Sequence, residues 1–171
     1  MKKFAALSLI AASAAIPLGG CAPAGPLGAL GMDMTPEAAP AYLAMAASSD
    51  MYEIQSSNMA LQRARDARLR TFAQMMIRDH SNTTAQLTAA GRSVGLSPPP
   101  GMLPLHAQLL AQLSASSNFD ATYRQQQMTA HQMALNLHAN YAARGDRQPL
   151  RAVAATATPA VRMHLDHLRR M

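Results

Sequence analysis

Apolar residues recur at intervals of three and four along most of the chain, the mark of helices that each bury one face. Thr35-Pro36-Glu37 supplies a hydroxyl cap, a proline at the first helical position and an acid in the first turn, and so predicts a helix running to about Ala64. Its inward stripe is Leu43, Ala46, Ala47, Asp50, Glu53, Ile54, Ser57, Ala60 and Leu61. Asp66 caps a second helix with the stripe Leu69, Phe72, Ala73, Met76, His80, Thr83, Leu87 and Val94, and Gly95 stops it. The link between the two is so short that they must run antiparallel.

Ser97-Pro98-Pro99-Pro100-Gly101 then breaks the pattern, and a short amphipathic piece from about Pro104 to Leu113 follows. Ser117 with Asp120 three residues on reads as a capping box for a third long helix, with the stripe Phe119, Tyr123, Gln127, Ala130, Ala134, Leu137 and Tyr141. Gly145-Asp146 turns the chain into a fourth, carrying Leu150, Val153, Ala157, Val161, His164, Leu165 and Leu168, with Pro159 expected to kink or weaken its middle. The prediction is an all-α four-helix bundle over residues 35–171, two antiparallel hairpins joined by a long crossover that contains a short helix, as ferritin-like bundles are wired.

Composition supports this class. Few β-branched residues and 4% aromatics argue against a sandwich or barrel, and 171 residues suffice for one domain. The net charge is +6, yet few aromatics and arginines scattered over every helix leave no nucleic-acid-binding stripe. Arg63, Arg65, Arg68 and Arg70 gather at the first hairpin, as a solvated corner or a contact for anionic lipid.

The start of the chain is of another kind. Met1-Lys2-Lys3 is basic, Phe4 to Ile16 is apolar, and Pro17 ends the run well short of a membrane span, so residues 1–20 read as a secretory signal. Leu18-Gly19-Gly20-Cys21 resembles a bacterial lipobox, which implies lipidation of Cys21. A plain signal peptide followed by a chance cysteine is the alternative. Ala22 in place of aspartate after the cysteine implies the outer membrane of a Gram-negative cell, with the domain facing the periplasm. Residues 21–34, rich in Pro and Gly, read as a tether.

Phe72-Ala73-Gln74-Met75-Met76-Ile77-Arg78-Asp79-His80 resembles the second-helix signature of the bacterial domain of unknown function 4142 family, within the ferritin-like superfamily. Glu53-Ile54, Phe119-Asp120 through Tyr123 to His131, and Pro159 through His164-Leu165 match it in order and spacing. The resemblance implies an exported helical bundle without an assigned molecular role.

Glu53, Asp79, His80, His131 and His164 fall on or beside the inward stripes, at least one from each long helix, as in an internal metal site. Helical rise puts most of them near mid-height, with His164 about one turn off level. A di-iron centre needs Glu-x-x-His on two helices, but Ile77, Met128 and Val161 stand three residues before the histidines. Two readings remain: a hydrogen-bond network that fixes helix register, or a site for a single Zn, Fe, Cu or Mn.

Met76, Met128 and Met163 near the histidines raise Cu(I) handling, although methionine is also an ordinary core filler. His106, His138 and His167 are expected on or near solvent faces. Gly91-Arg92-Ser93-Val94-Gly95 matches a nucleophile elbow but lacks the strand that must precede it, so a serine hydrolase is disfavoured and no catalytic residue is assigned. The sequence thus favours a structural or interaction protein of the envelope, linked to stress and with an envelope protein as partner. A metal-binding or redox protein is the alternative.

Overall fold

The computed structural model describes residues 35–171. The signal at 1–20, Cys21 and the tether at 21–34 lie outside the described residues. Five helices follow in order: α1 (Ala39–Arg63), α2 (Ala67–Ser93), α3 (Pro104–Ala115), α4 (Phe119–Arg144) and α5 (Gln148–Arg169). None of the described helices is long and apolar enough to cross a membrane.

α1 pairs with α2 and α4 with α5, while α1 also packs on α4 and α2 on α5, so the four long helices form a closed square. The start of α4 lies beside the α1–α2 turn, where Asp120 meets Arg65 and Asp66, and the end of α4 lies beside the start of α1, where Tyr141 stacks on Tyr42 at 3.8 Å. Hence α1 and α5 run one way, and α2 and α4 the other. α3 travels back along α1 and α4 as the crossover.

Local helix signals were partly overridden by contacts across the bundle. Asp66 caps α2 as its position predicts, accepting from the Arg68 N–H, and Gly95 leaves the helix with a φ of 75°, which a side chain would oppose. The Thr35-Pro36 start does not hold: α1 begins at Ala39 with Pro40 in its first turn, and Asp146 of the α4–α5 turn accepts from the Ala39 N–H. The capping box at Ser117 does not form either. Asn118 is the cap residue without a side-chain bond, and Asp120 instead accepts from the Arg65 and Asp66 N–H groups. In both cases a carboxylate from a neighbouring turn satisfies orphan amides, which braces two hairpins with the bonds that would otherwise cap one helix.

The arginines at the first hairpin also hold structure together. Arg63 donates to the Ser114 and Ser116 carbonyls and lies over the Phe119 ring, and Arg70 donates to the Ala64 and Arg65 carbonyls. At the opposite end Gly145 is required by close packing, since a Cβ there would lie 2.5 Å from the Tyr141 ring. Most stripe residues are buried as expected. Ile54, Thr83, Val94 and Val153 are only half-buried and Leu61 is exposed, while Tyr42, Tyr52 and Ala154 take core places.

His106 and His138, expected near solvent, are buried, and His167 is half-buried. The reason for His106 is tertiary. Ser48 Oγ on α1 accepts from the Leu103 N–H and pairs with His106 Nδ1 at 2.7 Å, while the His106 ring stacks near Tyr52, so this histidine seats α3 on α1. His138 Nδ1 pairs with the Tyr42 hydroxyl at 3.0 Å.

Asp120→Ala is expected to cost about 1–2 kcal/mol in chemical denaturation, because it orphans two turn amides, with Asp120→Asn recovering part of the loss. Burial also pushes His106 down to about 4. An imidazole held neutral in the fold takes its proton more readily when unfolded, so its contribution is complete above about pH 6.5 and is lost as pH falls toward about 4, by at most about 1.4 kcal/mol per pH unit. Urea midpoints of His106→Gln should therefore fall less steeply than wild type across that window.

Candidate metal centre

The middle of the bundle is polar. α1 contributes Asp50 and Glu53, α2 Asp79 and His80, α4 Gln127 and His131, and α5 His164. Above this layer lies an apolar plug that includes Leu69, Phe72, Met76, Tyr123 and Leu168, and the Phe72 ring sits 5.9 Å from His131 and 6.3 Å from His164.

Three imidazoles meet beneath Phe72. His80, His131 and His164 are 6%, 1% and 2% exposed, their ring centroids are 5.3–5.9 Å apart, and one nitrogen of each lies within 4.8 Å of the other two. His164 is 16 residues past the start of α5 and His131 is 13 before the end of α4, an axial offset of about 4.5 Å. Helical side chains lean toward their own N-terminus, so His164 leans down while His80 and His131, on oppositely directed helices, lean up. The antiparallel arrangement closes the gap that a count of residues leaves open.

The outer nitrogen of each ring is tied down. His80 Nδ1 pairs with Asp50 Oδ1 at 2.7 Å, and Thr84 donates to the other Asp50 oxygen. His131 Nδ1 donates to the Gln127 carbonyl at 2.9 Å, with Glu53 Oε1 behind it at 3.6 Å. His164 Nε2 pairs with Asp79 Oδ2 at 3.1 Å, and the other Asp79 oxygen accepts from Arg78. These partners accept hydrogen bonds, so in a neutral ring the opposite, inner nitrogen carries the lone pair: His80 Nε2, His131 Nε2 and His164 Nδ1. All three are buried without a hydrogen-bond partner among the described residues.

Burial sets their charge. It holds His131 well below the ordinary imidazole range and His164 at about 4, with repulsion from His80 adding to both. Burial also opposes charge on His80, but the hydrogen bond and the charge of Asp50 outweigh it and hold this ring above its ordinary value. Burial pushes Asp50 up, and Glu53 up to about 7. Two inward lone pairs thus face a third nitrogen that carries a proton most readily of the three. A metal cation in place of that proton would find three ligands.

Of the five residues singled out in the sequence, the three histidines come together as potential ligands, whereas Asp79 and Glu53 stand behind His164 and His131. Asp50, which the sequence placed only on a core stripe, is the partner of His80. Its one signal was an acid on an inward face one turn before Glu53. Among the methionines, Met76 is buried in the apolar plug and Met163 is 51% exposed.

The chain belongs to the DUF4142 family, a domain of unknown function, matched over residues 27–171. It is also similar in fold to solved structures of CopM. CopM in the Cu(II)-bound form superposes with a TM-score of 0.67 at 21% identity, covering 78% of this chain and 94% of that one. CopM in the Cu(I)-bound form gives 0.66 at 20% identity over 77% and 93%, and CopM in the apo form gives 0.65 at 20% over 78% and 94%. No curated protein matches the chain significantly.

Proposed function

We propose that this member of the DUF4142 family is a metal-binding protein of the bacterial envelope that holds one transition-metal ion between His80, His131 and His164. The observation that carries the reading is three buried imidazoles that each bring a nitrogen within 4.8 Å of the other two, with one nitrogen of each ring lacking a hydrogen-bond partner among the described residues. A network whose task was only to fix helix register would pair its members, because each buried polar atom left without a partner costs about 1–3 kcal/mol. Here the pairing is complete on the outer nitrogens and stops on the inner ones.

Three imidazoles suit copper, zinc, iron or nickel, and Cu(II) binds such a set more tightly than the other divalent ions. CopM is described in Cu(II)-, Cu(I)- and Ag-bound forms, which makes copper the first ion to test here. When bound, the metal would supply one centre for redox change or for carriage of the ion. The protein's own part is to aim the rings. Asp50, Asp79 and the Gln127 carbonyl fix which nitrogen of each faces inward, and Phe72 keeps water from the upper side.

The envelope location rests on the basic and apolar leader and on Cys21 in its lipobox-like setting. Cys21 carries the lipid anchor, and two or three acyl chains hold the domain at the outer membrane without a spanning helix. Cys21→Ser should move the protein from the membrane fraction to the soluble envelope fraction, and unchanged membrane attachment would rule the anchor out.

Titration of the purified, metal-free protein with Cu(II) should reach saturation near one equivalent. At about a hundredfold excess over Kd, the melting temperature should rise on the order of 10 °C. His131→Ala and His164→Ala should abolish both effects, and Asp50→Asn should weaken binding about 10- to 100-fold. Absence of binding by wild type, with no shift from copper, zinc, iron or manganese, would leave the polar centre as a hydrogen-bond network.

A further inference from the structure

A cavity of about 130 Å³ opens between α2 and α5 beside the three histidines, large enough for a cation with part of its water shell. His80 and His164 line it, and His131 does not. The remaining sides of the cluster are covered: Phe72 lies over His131 and His164, while Glu53 and the Gln127 carbonyl stand behind His131. The cavity is therefore the side on which two of the three rings, His80 and His164, are reached together with the Asp50 and Asp79 carboxylates that hold their outer nitrogens.

Its walls suit a cation. Asp50 and Asp79 both line it, and Asp79, at 26% side-chain exposure, is the more accessible of the two carboxylates. Thr83 and Gln86 add neutral oxygens on the α2 side. The α5 wall is made of short side chains at Thr156, Ala157 and Ala160, and it is their shortness that leaves the space. Pro159 lies in the same stretch and has no N–H to donate back to the preceding turn, so this wall lacks one helical hydrogen bond.

We propose that this cavity is the route by which the metal ion reaches and leaves the three histidines, with Asp79 the first carboxylate it meets and Thr156 and Ala160 setting the width of the passage. The inference rests on the metal-binding reading above and deepens it. A route makes a prediction that a site alone does not: narrowing it slows arrival and departure by the same factor and leaves the equilibrium unchanged. Thr156 is exposed and Ala160 half-buried, so larger side chains at these positions fill the passage without entering the packed core.

The test is stopped-flow uptake of Cu(II) by the metal-free protein and release to an excess of chelator, in wild type, Thr156→Phe and Ala160→Leu. Thr129→Phe, an exposed position on α4 away from the cavity, is the control. Both rates are expected to fall 10-fold or more in the two blocking variants, with Kd within 2-fold of wild type and the control unchanged. Melting curves identify a variant that has lost its fold, and either blocking variant alone suffices. Wild-type rates in a folded blocking variant would overturn the route and point to opening of the bundle elsewhere. A loss of affinity that accounts for the whole rate change would also overturn it, since the substitution would then act on the site itself. Failure of wild type to bind Cu(II) at all removes the metal-binding reading and the route with it, an outcome distinct from the other two.

Discussion

The hydrogen bonds on the outer nitrogens of His80, His131 and His164 govern the centre of this bundle. An imidazole in a dry interior has one donor and one acceptor nitrogen, and whichever partner claims the first decides where the second points. Asp50, the Gln127 carbonyl and Asp79 make that choice three times in the same sense. The opposite nitrogens of the three neighbouring rings are left buried without a hydrogen-bond partner among the described residues. The unsatisfied point is a local cost, and the rest of the fold supplies the stability that tolerates it.

The two ends of the bundle are braced between hairpins. Asp120 and Asp146 each reach from one hairpin to backbone amides of the other, and Arg63 ties the crossover helix to the end of α1. Tyr42, Tyr141 and Gly145 pack the opposite corner with little room to spare. Between these braced ends, the apolar plug around Phe72 packs directly against the rings of His131 and His164. The polar layer does not have to stabilise the bundle. It has only to be carried by it.

The division of labour between histidines and carboxylates also separates this centre from the carboxylate-rich sites of di-iron bundles. There the acids are ligands, whereas here Asp50, Asp79 and Glu53 stand behind the rings. Carboxylates on the outer nitrogens would place negative charge near a cation bound among the rings without using up coordination positions, and they raise the basicity of the imidazoles they touch. The DUF4142 match and the likeness to CopM describe a shared fold. The chemistry of this chain is argued from its own histidines.

Helix number, hairpin order, the crossover piece, the α2 cap at Asp66 and the inward faces of His80, His131 and His164 were all legible from periodicity and local stop signals. These depend on residues within one or two turns of each other, which a linear sequence displays directly. What it could not display was the use of Asp120 and Asp146 as caps for another hairpin, because their partners lie more than fifty residues away in the chain. The burial of His106 by Ser48, 58 residues away, and the pairing of His80 with Asp50, 30 residues away on another helix, were hidden likewise. Nor did residue counting bring His164 level with the other rings, since the opposite lean of side chains on antiparallel helices exists only once the helices are side by side. The sequence by itself determined most of each helix's inward stripe, His80, His131 and His164 included; the tertiary structure decided the burial of His106 and His138 and which inward residues touch, because hydrogen-bond partners and ring orientations are set between helices and not along them.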